Sequence, residues 1–212
     1  IINSPSNPTG SVYSHEELKN IANVLAEHPE IFIISDEIYE HINFRGSHAS
    51  LASFENLKER VLLINGVSKA FAMTGWRLGY IAATPEIAKA CEKVQGQITS
   101  GANAVTQRAA IAALTGDMQP TEMMVAEFTK RRKRVMELVK DIPGIECSEP
   151  QGAFYVFPVV KSYFGRSDGD IVIENADDLC MYLLNKAHVS TVTGKAFGEP
   201  NCIRISFANS ME

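Results

Sequence analysis

The chain has 212 residues, 45% of them hydrophobic, which allows a sizeable core and more than one domain. Its formal charge of −5 gives no reason to expect nucleic acid or an anionic membrane as a partner. No apolar run approaches the roughly 20 residues that span a bilayer, and the four dispersed cysteines form no CxxC pair, which argues against a zinc ribbon.

The chain opens on "IINSPSNPTG", which reads as a strand already under way, and closes on "ISFANSME" directly after another strand. A piece of a longer chain is therefore expected. Sparse cysteines and the lack of a signal-peptide pattern point to a reducing, cytoplasmic compartment. Ser14 begins a helix: "SHEE" is a capping box, and Leu18, Ile21 and Leu25 recur at helical spacing. "IFIISDEIYEHI" is a continuous apolar, β-branched run ending in acids, the pattern of a strand buried on both faces of a parallel sheet. "VLLING" at 61–66 repeats it, and "LGYIAAT" at 78–84 is a further strand. Thr84-Pro85-Glu86 predicts a helix with a capping threonine and proline in its first turn.

After the break at "ITSGANAVTQ", helix resumes through "QRAAIAALTG". Thr121 starts a long helix with Met124, Phe128, Val135 and Leu138 as its apolar stripe. The basic run "KRRKR" at 130–134 lies on it and reads as a solvated face rather than a binding patch. Then "AFYVFPVV" predicts a strand, "ENADDLCMYLLNKA" a helix, and "VSTVTG" and "CIRISFA" two more strands. The expected organisation is an α/β part over 1–142 and an α+β part over 143–212.

Ligands in open α/β sheets bind outside the carboxyl ends of the strands. Three predicted strands end there in polar groups: "NSPSNPTG", "SDEIYE" and "NGVSK". Singly, Asn7-Pro8-Thr9-Gly10 reads as a turn, Asp36 as a helix cap, Tyr39 as a core tyrosine and Lys69 as a surface lysine. At successive strand ends they read together as a site. The ordered set NPTG, SDEIYE and SKAFAMTGWRLGY, with a late "RIS", resembles the class I aminotransferases of fold type I, which use pyridoxal 5'-phosphate (PLP). Within them it is most similar to the bacterial aspartate aminotransferase branch, over essentially the whole chain.

That resemblance implies a large domain with a mostly parallel sheet and flanking helices over 1–142, and part of a small α+β domain over 143–212. It implies amino-group transfer between an amino acid, aspartate foremost, and a 2-oxo acid, in a homodimer. Lys69 matches the lysine that forms the Schiff base with PLP; an amine attacks a carbonyl only when neutral. Arg77 matches the arginine that grips the cofactor phosphate with a planar fork. Ser68 is the nearest hydroxyl able to assist, because the serine often found three positions before the lysine is here Gly66. Asp36 matches the aspartate beneath the pyridine nitrogen, and Tyr39 and Asn7 match donors to the phenolate oxygen. Asn7 also reaches the substrate α-carboxylate, and Arg204 matches the arginine that binds it.

Lesser candidates are His48, read as a loop histidine; Gly152 and Tyr155, lining a cleft or packing in the core; and 99–103, near a partner's phosphate site. The 212-residue chain alone is expected to lack activity, since family members are about twice as long. The alternatives are a class I aminotransferase for prephenate, aromatic or other amino acids, and a PLP-binding regulator without enzymatic activity.

Overall fold

The computed structural model describes residues 1–210. Its residues pack into two units, Ile1–Pro5 with Val12–Val125, and Ser6–Ser11 with the chain from Ala126 onward.

In the first unit, β1 (Ile2–Asn3), β2 (Ile33–Asp36), β3 (Val61–Gly66) and β4 (Gly79–Ala82) form one sheet in that order. β1, β2 and β3 run parallel, whereas β4 is antiparallel to β3. The register sets Asn3 opposite Asp36 and Asp36 opposite Ile64, so the polar strand ends share one edge. β4 starts at that edge, because Gly66 pairs with Gly79. Helix α1 (His15–Ala26) carries the expected reciprocal cap: Ser14 accepts from the Glu17 N–H while the Glu17 carboxylate accepts from the Ser14 N–H. That backbone hydrogen bond holds the Glu17 carboxyl below its ordinary value.

Leu18 and Ala22 of α1 pack with Ile33, Leu51, Leu57 and Val61, and Ile21 and Leu25 flank them. Burying each large side chain contributes about 1.5–3 kcal/mol. Arg60 closes the other end of α1, its guanidinium donating to the carbonyls of Leu25, His28 and Ile31. The expectation of a strand covered on both faces is not met in β2. Ile33 and Ser35 are buried, but Ile34, on the opposite face, is 36% exposed, so among the described residues that face is covered only in part.

α2 (Pro85–Ile98) starts with proline in its first turn, but Thr84 makes no side-chain cap, so that part of the reading is corrected. α3 (Ala104–Thr115) is capped by Asn103, which accepts from the Val105 and Thr106 N–H groups. α4 (Gln119–Lys140) begins two residues before the expected Thr121.

In the second unit, Phe128, Met136 and Val139 form the buried stripe of α4, whereas Leu138 is exposed, contrary to expectation. Phe128 stacks on Phe154 at 5.3 Å and meets Phe207 edge-on. The basic run is more tied down than a solvated face: Arg131 donates to the Ala208 carbonyl, and Arg132 to Pro150 and Glu149. β5 (Tyr155–Val156), β9 (Ile203–Ser206) and β8 (Val192–Thr193) form an antiparallel sheet with β9 in the middle. The hairpin β6 (Arg166–Asp168)–β7 (Ile171–Ile173) was not foreseen. α5 (Ala176–Tyr182), capped by Asn175, packs Leu179 with Val160, Ile173 and Ile203. Among the described residues, no helix is long and apolar enough to cross a membrane.

Candidate functional site

Each unit gathers its own group of candidate residues. In the first unit the antiparallel return of β4 is the organising feature. The chain leaves β3 at Gly66, passes Ser68 and Lys69, turns through a short 3-10 segment at Thr74–Trp76, and re-enters the sheet opposite Gly66. Arg77, just before β4, therefore returns to the edge that Ser68 left. The backbone of Arg77 is left-handed (φ +53), and its guanidinium donates to the Thr74 carbonyl at 3.0 Å. A left-handed non-glycine residue is a costly conformation that neighbouring structure must hold.

An open cleft of about 340 Å³ lies at this edge, lined by Asp36, Ser68 and Arg77 with Ile38, Ile64, Asn65, Leu78 and Gly79. Residues that carry a carboxylate, a hydroxyl and a guanidinium thus line one space whose walls are otherwise largely apolar. Asp36 is half-buried, and one of its carboxylate oxygens accepts the Ile38 N–H at 3.2 Å. Lys69 and Tyr39 do not line this cleft; the Lys69 Nζ lies 5.6 Å from the centre of the buried Tyr39 ring.

Gly66 has a steric reason. A Cβ there would sit 2.9 Å from the Leu78 carbonyl oxygen and 3.0 Å from the Gly79 Cα, both backbone atoms that could give way only by a shift of the strand. A serine at this position would therefore require β3 and β4 to move apart.

Two side chains have positioning contacts that the sequence reading misses, Thr121 reading only as a helix start. Asn65 donates to the Glu40 carboxylate at 2.6 Å and accepts the Gly66 N–H at 2.7 Å, tying the exit of β2 to the exit of β3. Buried Thr121 donates to the Ala70 carbonyl at 2.8 Å, directly after Lys69. Neither carries a sequence signal beyond polarity, because both act on backbone brought close only by the fold. Glu40 also faces His41 at 3.3 Å. That hydrogen bond lowers the Glu40 carboxyl and raises the His41 imidazole. Burial raises the nearby Tyr80 phenol, with a smaller contribution from the Glu40 charge.

The second unit holds Asn7 and Arg204, 197 positions apart in the chain. The Arg204 guanidinium donates to the Asn7 side-chain oxygen at 2.8 Å. It lies over the Tyr155 ring at 4.5 Å and the Phe197 ring at 5.1 Å, so its charge is held between two aromatic faces. Tyr155 is buried, so it packs in the core and carries the arginine at once. Ile203 and Ile205 pack in or against the aliphatic cluster, as the alternation of a strand requires.

Asn7 is aimed by the loop Ser6–Ser11. Its ends close on each other through the Ser6 N–H to the Ser11 carbonyl and the Gly10 N–H to the Ser6 carbonyl. The Gly10 carbonyl then accepts from both Gln151 and Gly152, at 2.7 and 2.9 Å. Gly10 has φ +69, and a side chain there would overlap Pro150. A two-residue signal, the glycine of "NPTG" and that of "PQGA", thus marks one docking contact. Residues 99–103 lie between α2 and α3, and Gly101, Ala102 and Asn103 line a larger open cleft with Trp76, Arg77 and Tyr80.

A sequence profile described as aminotransferase class I and II matches residues 1–212. A bifunctional aspartate aminotransferase and glutamate/aspartate-prephenate aminotransferase of Petunia hybrida is 50% identical over 218 residues, covering 100% of this chain and 45% of that protein. A probable aspartate/prephenate aminotransferase of Rickettsia bellii is 45% identical, covering 100% of this chain and 54% of that one. The crystal structure of an aspartate aminotransferase from Rhizobium meliloti superposes with a TM-score of 0.93 at 39% identity, over 99% of this chain and 53% of that one. The chain spans about half the length of the curated relatives it matches.

Proposed function

Because the chain belongs to the aminotransferase class I and II family, we propose that the whole protein moves an amino group between an amino acid, aspartate foremost, and a 2-oxo acid, with PLP as cofactor. The observation that carries this reading is the single cleft shared by Asp36, Ser68 and Arg77 at the ends of β2 and β3. The donor set fits the group. A carboxylate suits a protonated ring nitrogen, and a guanidinium and a hydroxyl suit a phosphate dianion. When bound, PLP supplies an aldehyde for covalent capture of an amine and an electron-withdrawing ring.

The chain's own residues then divide the work. Lys69 would anchor the cofactor and, once released, would move a proton at the substrate α-carbon. Asp36 would hold the ring nitrogen protonated. Tyr39 and Asn7 would donate to the ring oxygen, Arg77 would bind the phosphate with Ser68 beside it, and Arg204, with Asn7, would hold the substrate α-carboxylate. The pair of rings around Arg204 supports that last role, because it restricts the guanidinium before any substrate arrives.

The relatives' names favour aspartate, with prephenate as the second acceptor class. A homodimer, a cytoplasmic location and a division into large and small domains at 142/143 belong to the same proposal. So does the expectation that the 212-residue chain alone turns over no aspartate with 2-oxoglutarate. The decisive test is Lys69→Ala in the whole protein. Borohydride should fix PLP to the wild type and not to the variant; fixation at another lysine would refute the assignment.

A further inference from the structure

Asp36 and Glu37 are adjacent in "SDEIYE", yet the proposed function uses only the first. Glu37 is 2% exposed, an unusual place for a carboxylate. One of its oxygens accepts from Ser35 at 2.8 Å and from Ser50 at 2.6 Å. The other faces the His48 Nε2 at 2.8 Å. Ser35, on the strand itself, lies on the covered face with Ile33, whereas Asp36 lines the cleft. Ser50 also caps the short 3-10 turn Leu51–Ser53 by accepting the Ala52 N–H. The Glu37 carboxylate therefore closes the segment 37–50 onto the end of β2.

We infer that the Glu37–His48 pair, with Ser35 and Ser50, is a positioning device that sets the direction of Asp36 toward the cofactor ring. The inference rests on the proposed function. Successive side chains at a strand end point to opposite sides. Pinning Glu37 on the covered side therefore fixes the backbone rotation that sends Asp36 to the other side. The Asp36 carboxylate itself accepts the backbone N–H of Ile38, two residues on, so its aim depends on the backbone at 35–38. That backbone is tied on both flanks as well: the Ser4 N–H donates to the Asp36 carbonyl, and the Glu37 N–H to the Ile64 carbonyl.

Stability alone does not account for the cluster. It buries a carboxylate and leaves the His48 Nδ1 buried without a hydrogen-bond partner among the described residues. The neighbouring layer of Ile33, Leu51 and Val61 is apolar, and an apolar filling of the same space is often as stable or more so. What the polar version adds is direction. His48 is thus more than a loop histidine, and it acts through Glu37 rather than on substrate.

The test uses the whole protein, stripped of PLP and titrated with it, read by intrinsic-fluorescence quenching and by the absorption spectrum of bound PLP across pH. His48→Leu should bind PLP about ten-fold more weakly, by analogy with the lower end of losses when the outer-shell partner of a metal ligand is removed. It should also move the spectral midpoint in the same direction as Asp36→Ala. His48→Gln, which returns a donor near the Nε2 position, should restore affinity to within about two-fold. Leu18→Ala, a core change in the same unit, should lower the unfolding midpoint of the PLP-free protein without altering the spectrum. Wild-type affinity and spectrum in His48→Leu overturn the positioning role. If that variant does not fold, Ser50→Ala removes one donor to the same carboxylate and should weaken binding about three-fold; no change there overturns it equally. A wild type that binds no PLP, or an Asp36→Ala variant that binds it normally, overturns the functional reading instead, and this role with it.

Discussion

The two groups of candidate residues are built on opposite plans. In the first unit, Asp36, Tyr39, Ser68, Lys69 and Arg77 come from two short stretches at neighbouring strand ends, and the main chain directs them: a parallel register, an antiparallel return and a left-handed residue. In the second unit, Asn7 and Arg204 meet across 197 positions and are directed by side chains and by a docked loop. The first plan is sensitive to anything that parts two strands. The second is sensitive to changes far from the charged groups themselves.

Four substitutions or conditions sharpen or break that contrast. The largest effect is expected from Gly10→Ala, which adds a side chain against Pro150 in a left-handed residue. It should cost about 3 kcal/mol in urea unfolding; wild-type stability would show that the loop is not held by its docking contact. Next is Gly66→Ser, which supplies the hydroxyl often found at this position in the family. With the Leu78 carbonyl 2.9 Å from the new Cβ, it should lose about 2 kcal/mol and gain no PLP affinity. Tighter PLP binding would mean that β3 and β4 can separate, against the main-chain plan.

Smaller again is Tyr155→Leu, which removes one ring from Arg204. The KM for the amino acid should rise about five-fold, while Tyr155→Phe, which keeps the ring, stays within about two-fold. An equal rise in both would assign the effect to the hydroxyl.

The smallest is a pH effect at Glu40–His41 in the first unit. Both side chains are partly exposed, so the pair contributes less than about 1 kcal/mol. His41 is raised above its ordinary 6.5, so its share is full below that value and fades as pH rises through the folded value. Glu40 is lowered below its ordinary 4.5, so its share is full above that value and fades as pH falls through the folded value. The difference in stability between wild type and His41→Phe should therefore be greatest between about 4.5 and 6.5. A difference that grows above that window would contradict the pairing.

The same contrast explains what was legible in the sequence. The strand-end clusters could be read because their polar residues follow apolar runs directly, and the cap at Ser14 because its partners are three residues apart. Asn7 and Arg204 are brought together only by the resemblance, which sends both to the substrate α-carboxylate; nothing local announces their hydrogen bond or Phe197 as the second ring. Glu37 was hidden by its neighbour: in "SDEIYE" one acid looks like another until burial separates them. Leu138 and Thr84 show the opposite failure. A periodic leucine faces solvent when no element among the described residues covers it, and a threonine before a helix need not turn its hydroxyl back to the first turn.

The loop Ser6–Ser11 packs with residues from Ala126 onward, while the chain on either side of it packs with the other unit. The second unit is therefore discontinuous in sequence. A polypeptide beginning at Ala126 would carry Arg204, Tyr155 and Phe197 but not Asn7, and the amides of Gln151 and Gly152 would be without the Gly10 carbonyl that now receives them. Dissection at that point would separate a lock from its key. A short peptide spanning 4–13, added back in trans, is the natural means of restoring it.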